Sequence, residues 1–151
     1  MLYNAFMEIE RRVGAVARHD DVCLLLMTAL GVGPITALSF KAAIDDPSRF
    51  KSSRLVGSHF GLTPRRFQSG ETDNAGRISK AGDRDVRATL YTAANSLLLR
   101  TTRGSALKSW GMKLLRTKGR KRALVAVARK LAVILHRMWV TNEPYRMEEA
   151  A

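Results

Sequence analysis

The sequence predicts an all-α fold: a compact multi-helix domain with a helix-hairpin-helix-like element and one long glycine-rich loop. Two observations carry that expectation. Apolar residues recur at three- and four-residue steps in almost every segment, and no run alternates apolar and polar residues between hairpin turns. A third observation supplies the boundaries: Asp, Pro and Gly fall where one periodic segment stops and the next begins. No internal repeat or low-complexity tract is present.

Taken in order, "LYNAFMEIERRVGAVA" places Leu2, Phe6, Ile9, Val13 and Val16 on one stripe, which opens the domain or ends a longer helix. "DDVCLLLMTAL" predicts a second, more buried helix entered from Asp20 or Asp21 as cap. "GVGPITALSFKAAI" then turns and starts a third, with Gly31 and Gly33 free to take positive φ and Pro34 suited to the first helical turn. Asp46-Pro47 predicts another capped start, leading into a short helix over "RFKSSRLVGSHF". The stretch from Gly61 to Gly82 is too long for an ordinary connector. From Asp83 a helix is expected with Val86, Leu90, Ala93, Ala94 and Leu97 on one face. Gly104 interrupts, and "SALKSWGMKLLR" and "RALVAVARKLAVILHRMW" are the last two helices. The final one buries Leu124, Val127, Leu131, Ile134 and Met138 and exposes Arg129, Lys130 and Arg137. The expected organisation is a connecting helix over residues 1–19, a single domain over 20–142 and a tail over 143–151.

A chain of 151 residues with 46% hydrophobic content can bury a core without disulfides. The single cysteine, Cys23, sits in an apolar run and is expected to be a buried small hydrophobe; a reducing, cytoplasmic setting follows. Residues 22–40 carry no charge, but "GVGP" breaks them where a membrane-spanning helix would continue, so no membrane association is expected. No basic lead and apolar core mark a signal peptide at the start.

Charge is the strongest compositional signal. There are 26 Lys and Arg against 13 Asp and Glu, for a net charge of +13. Between Val86 and Asn142 there are thirteen Lys and Arg and no acid at all, while the rest of the chain balances. Solvated helices gain from interleaving both signs, so an acid-free stretch points to a polyanionic partner, with nucleic acid the natural one. The run Lys118, Arg120, Lys121, Arg122 is its densest part. A plain solvated basic face and an acidic membrane surface are the alternatives.

Among possible sites, "GVGPITA" has the form of a helix-hairpin-helix turn, in which glycines such as Gly31 and Gly33 let backbone amides receive a nucleic-acid phosphate. A glycine C-cap followed by a Pro-initiated helix explains the same residues. His19, His59 and His136 stand far apart and Cys23 stands alone, so no metal site is expected from this chain. Asp45, Asp46, Asp83 and Asp85 fit helix starts. His136 and Trp139 fit core or rim positions.

Ser69, followed by Gly70 in the long loop, reads first as a turn residue, as most such serines are, its hydroxyl satisfying local backbone groups. The functional reading rests on its surroundings. Attack on a phosphodiester needs an exposed hydroxyl, a backbone that admits DNA closely and fixed cations for the phosphoryl oxygens. Arg65, Arg66, Arg77 and Lys80 supply cations, and Gly61, Gly70, Gly76 and Gly82 permit close approach. A water, Glu71 or Asp73, or another chain would have to take the proton.

Three stretches, "GVGPITALSF", "DDPSRFKSSRLVGSHFGLTPRRFQSGETDNAGRISKAGDRDVR" and "SALKSWGMKLL" with "RKLAVILHRMW", resemble a known family from about Asp20 to Trp139. It is the C-terminal transposase domain of serine-bearing insertion-sequence transposases guided by a bridge RNA. Its most specific part is the G-L-T-P-x-x-x-x-S-G block. The resemblance implies an all-helical fold and a nucleophilic Ser69 that joins covalently to DNA. It also implies a loop shaped by Gly61, Thr63, Pro64, Gly70 and Gly76, and phosphate held by Arg65, Arg77 and Lys80.

The family's partners are DNA and a guide RNA, with assembly as homodimers or homotetramers. Full-length members add an N-terminal RuvC-like domain whose four acids bind a divalent metal, magnesium by expectation, through a long coiled-coil connector. No such domain occurs in these residues, and residues 2–17 resemble the end of the connector. The expectation is therefore the serine part of a DNA transposase, inactive without the acidic domain. The alternative is a nucleic-acid-binding and oligomerisation module.

Overall fold

The computed structural model describes residues 1–62 and 80–148, the side chains of residues 80–83 apart. It is all-helical, with no strand among the described residues. Among the described residues seven α-helices follow in order: α1 Leu2–Arg18, α2 Asp21–Leu26, α3 Pro34–Ile44, α4 Arg54–His59, α5 Lys80–Leu99, α6 Ala106–Lys118 and α7 Arg120–Thr141. A single 3₁₀ turn, Pro47–Arg49, lies between α3 and α4.

The last helix is the centre of the molecule. Along α7 the buried set runs Ala123, Leu124, Val127, Ala128, Leu131, Ala132, then without a break from Val133 to His136, and on to Met138. That is more than one stripe, because α2, α4, α5, α6 and the 3₁₀ turn all pack on it. Each large aliphatic side chain removed from water here contributes about 1.5–3 kcal/mol. α3 packs on the other side of α5 and buries Thr36, Ala37, Phe40 and Ile44. α1 is outermost, resting on α3 and α2.

Local chemistry starts most of these helices where the sequence expects. Asp20 caps α2, its Oδ2 accepting from the Cys23 amide at 3.1 Å, while its Oδ1 takes the Lys41 ammonium of α3 at 2.7 Å. The Lys41 hydrogen bond, then those from Cys23, hold the Asp20 carboxyl below the ordinary carboxylate value. Burial pushes the Cys23 thiol up to about 12, which makes it an inert core residue. Ser105 caps α6 through the Lys108 amide.

Several elements differ from expectation. The helix expected over "RFKSSRLVGSHF" shortens to α4, because Asp46-Pro47 opens only the 3₁₀ turn and Phe50 returns to extended backbone. α5 begins at Lys80 rather than Asp83. The stripe of α1 faces outward: Leu2, Phe6, Ile9 and Val16 are all more than half exposed, and the buried contacts come from Gly14 and Ala17. Arg129, Lys130 and Arg137 are half-buried rather than exposed. Beyond α7, Tyr145 of the tail is buried, its amide donating to Thr28 Oγ1 at 3.0 Å and its hydroxyl lying 3.3 Å from Ser105 Oγ.

The two glycines of "GVGP" have different roles. Gly31 has φ of +84°, and a Cβ there would stand 2.7 Å from the Ala93 carbonyl oxygen of α5. Gly33 has φ of −104° in extended backbone, N-caps α3 without a side-chain bond, and has open space around it. Gly31→Ala is therefore expected to cost more than about 1 kcal/mol from the left-handed backbone alone, with the clash added. Gly33→Ser supplies a capping hydroxyl and is expected to be neutral or stabilising by a few tenths of a kcal/mol. Urea unfolding of the two variants checks the contrast, and equal losses would contradict it.

Candidate nucleic-acid site

Among the residues singled out from sequence, Ser69, Thr63, Pro64, Arg65, Arg66, Gly70, Gly76 and Arg77 lie outside the described residues, as does the side chain of Lys80. What the structure gives is the frame on either side of that segment.

On the entry side, α4 ends in a closed motif. Phe60 is its C-cap, Gly61 takes φ of +72°, and the Gly61 and Leu62 amides donate back to the Ser58 and Gly57 carbonyls, both at 2.9 Å. These are the two reciprocal bonds of a Schellman ending, which need a residue at ease in left-handed backbone. Leu62 is 4% exposed, so the chain is still seated in the core where the segment begins. The exit side is α5, whose Val86 and Leu90 are buried. One side chain joins the two: Arg87 of α5 donates from Nη1 to the Phe60 carbonyl at 3.1 Å, filling an acceptor that helix ends leave open.

α4 is itself fixed to α7 by His136, which is 2% exposed. Its Nε2 lies 2.8 Å from the Pro47 carbonyl and its Nδ1 2.7 Å from Ser53 Oγ. A carbonyl only accepts, so Nε2 carries a hydrogen; in the tautomer this fixes, Nδ1 accepts from the Ser53 hydroxyl. Phe50 stands edge-on to both His136 and His59, with centroids 5.5 and 5.1 Å apart. His136 thus holds the 3₁₀ turn and the start of α4 against the central helix.

The basic residues gather at one corner. Lys118 ends α6, Gly119 turns with φ of +90°, and Arg120, Lys121 and Arg122 open α7, all exposed. Arg120 donates to Asn95 Oδ1 at 2.9 Å, and none of the four forms an ion pair with a carboxylate among the described residues. The "GVGP" turn sets Gly31 against α5 and Gly33 in a shallow hollow shared with Pro34, Ile35, Thr36 and Glu10 of α1. A carboxylate near the start of α3 suits the helix dipole, and an incoming phosphate would meet it there. Among the described residues no three His, Cys, Asp or Glu side chains come together to hold a metal ion. Nor is any described helix long and apolar enough to cross a membrane.

Residues 23–110, from α2 through the Ser69 segment into α6, match the sequence profile of the family described as Transposase IS116/IS110/IS902. The chain belongs to that transposase family. Its relatives match over most of its length. A Sinorhizobium fredii protein, y4pF/y4sB, is 35% identical over 143 residues, 93% of this chain and 37% of its own. The transposase for insertion sequence element IS1111A of Coxiella burnetii is 34% identical over 144 residues, 95% of this chain and 40% of its own. A pilin gene-inverting protein of Moraxella bovis is 31% identical over 124 residues, 80% of this chain and 38% of its own. The chain therefore spans about two fifths of the length of these relatives.

Sequence reasoning counted Arg87 only as charge and did not single out His136 or Gly57 as supports of the segment. Arg87→Gln is expected to lose about 1 kcal/mol locally, the net worth of one hydrogen bond. The Gly61 and Leu62 amides should then exchange about fivefold faster, read by native-state hydrogen exchange, while amides in the middle of α7 keep their rates.

Proposed function

We propose that this family member is the serine-bearing part of a DNA transposase, in which Ser69 forms a transient covalent bond to DNA. The observation that supports the reading most is the family match, which runs across the Ser69 segment and both helices that frame it. The relatives named for transposition of an insertion sequence and for gene inversion suit the same class of DNA rearrangement.

In the proposed step Ser69 Oγ attacks the phosphorus of a backbone phosphodiester. The Oγ–P bond forms as one P–O bond to deoxyribose breaks, and the sugar oxygen leaves as a hydroxyl after gaining a proton. The hydroxyl proton of Ser69 passes to water or to a carboxylate outside the described residues. Because the serine ester keeps the energy of the phosphodiester, a hydroxyl of a second strand can reverse the step and complete strand exchange. Arg65, Arg66, Arg77 and Lys80 stabilise charge on the phosphoryl oxygens. Gly61, Thr63, Pro64, Gly70 and Gly76 shape the segment so that a DNA backbone can approach.

No three His, Cys, Asp or Glu side chains gather among the described residues. Any magnesium chemistry is assigned to acids outside them, and no step above passes through it. Guide RNA and assembly as a homodimer or homotetramer complete the proposal. The outward apolar stripe of α1 is the surface offered for pairing with a second copy.

A second reading is favoured by the cationic corner and the α1 stripe alone: a module that grips nucleic acid and oligomerises without chemistry of its own. Incubation with nicked, branched DNA and divalent metal, followed by a denaturing gel, separates the two. The first reading predicts a covalent protein–DNA band that disappears in Ser69→Ala, with DNA affinity unchanged within about twofold, or ~0.4 kcal/mol. A band that persists in Ser69→Ala would sink it. Salt-sensitive binding without a band in either protein leaves this chain the gripping module of the second reading, with any serine chemistry dependent on the acidic domain.

A further inference from the structure

Arg129 and Lys130 stand side by side on α7 between α4 and α6, and nothing about the serine segment uses them. Both are half-buried. The stem of Arg129 lies over Gly57 of α4, where a Cβ would stand 2.6 Å from Arg129 Cγ; the missing side chain leaves room for the arginine between the helices. The ammonium of Lys130 sits over the Trp110 ring of α6, 4.3 Å from its centroid. Trp110 is half-buried as well, packed against the core by one side.

No carboxylate forms an ion pair with either cation among the described residues. Burial, and after it the charge of Arg129, hold the Lys130 ammonium below the ordinary lysine value. Two neighbouring like charges thus stand in a partly dry place with no acid paired to them among the described residues. The Trp110 face offsets part of the Lys130 charge, while the packing of the Arg129 stem against Gly57 needs only an unbranched chain. A polyanion would offset what the fold leaves uncompensated. Arg122 lies seven residues earlier, two turns along the same face and about 10 Å away on the helix axis, so the face continues toward the cationic corner.

We propose that Arg129 and Lys130, walled by Trp110, form a binding site for backbone phosphates of DNA, separate from the serine segment and from the α6–α7 corner. The inference rests on the DNA reading above and adds to it the place where the strand is held. The arginine fork pairs with two phosphate oxygens and the lysine acts as a point charge. Because both cations stand on the one buried helix α7, the contact fixes register and carries no sequence information.

The test is fluorescence anisotropy with a labelled DNA duplex over a salt series, using the whole chain, R129Q/K130Q, and R11Q/R12Q as a variant of equal charge loss on α1. Each lost phosphate contact lowers the slope of log affinity against log salt by about 0.9. R129Q/K130Q is expected to lower it by about two, and R11Q/R12Q to leave it unchanged. In a W139F background, the emission of Trp110 is expected to shift on DNA addition. That readout keeps both cations and holds even where the double variant fails to fold. A wild-type slope in folded R129Q/K130Q, or a Trp110 emission that ignores bound DNA, overturns the site. A Trp110 shift with anionic vesicles and none with DNA overturns it in favour of a lipid surface. Absence of any salt-dependent DNA binding in the unmodified chain overturns the DNA reading itself.

Discussion

The burial of α7 is the constraint on which everything else depends. A helix packed by α2, α4, α5 and α6 has few directions left to solvent, so its charges can leave only at its first turn and along one ridge. The same packing decides where the neighbouring helices point. α4 comes close because Gly57 has no side chain, and α6 comes close because Gly111 has none, a Cβ there meeting Leu98 and Val127 at 2.6 and 2.7 Å. An interior of native density passes such constraints on without slack. The result is a frame whose last helices, from Arg87 to Thr141, carry basic side chains and no acid, and which holds both flanks of the segment containing Ser69.

That frame has a definite chemistry at its edges. His136 joins the central helix to the 3₁₀ turn and to the start of α4, while the Schellman ending of α4 and Arg87 of α5 close the other end. Each bond is worth only about 1 kcal/mol net. Together they take the freedom out of the few described residues that lead into the segment. The family match covers the 3₁₀ turn, α4, the serine segment and α5, and ends within α6, before α7 and His136.

Much of the fold was legible because apolar periodicity is a direct record of burial. Val86, Leu90, Ala93, Ala94 and Leu97, and the set from Leu124 to Met138, are buried as their spacing required. The pattern failed where burial has no period. α4 lost its expected first turn because two isolated features, Asp46-Pro47 and the His136–Ser53 bond, set the path there instead of an apolar stripe. The α1 stripe was visible, but its outward direction was not, since an amphipathic helix does not say which partner its apolar face meets. Tyr145 was unreadable as core because a lone aromatic in a polar tail has no repeat around it.

The site was legible in a different way. Ser69 and the cations near it came from a motif, which gives residue types and order but no geometry, and the acid-free span came from charge counting. Arg87, Gly57, Lys130 and Trp110 depend on contacts between helices distant in sequence, which no local signal carries. The central claim is that this frame presents one cationic face and the serine segment together to DNA. Hydrogen exchange with and without duplex DNA tests it most directly. The account predicts new protection in residues 61–82 and along α6 and the first half of α7, with α1 and α3 unchanged. Protection confined to α1 and α3 would contradict it.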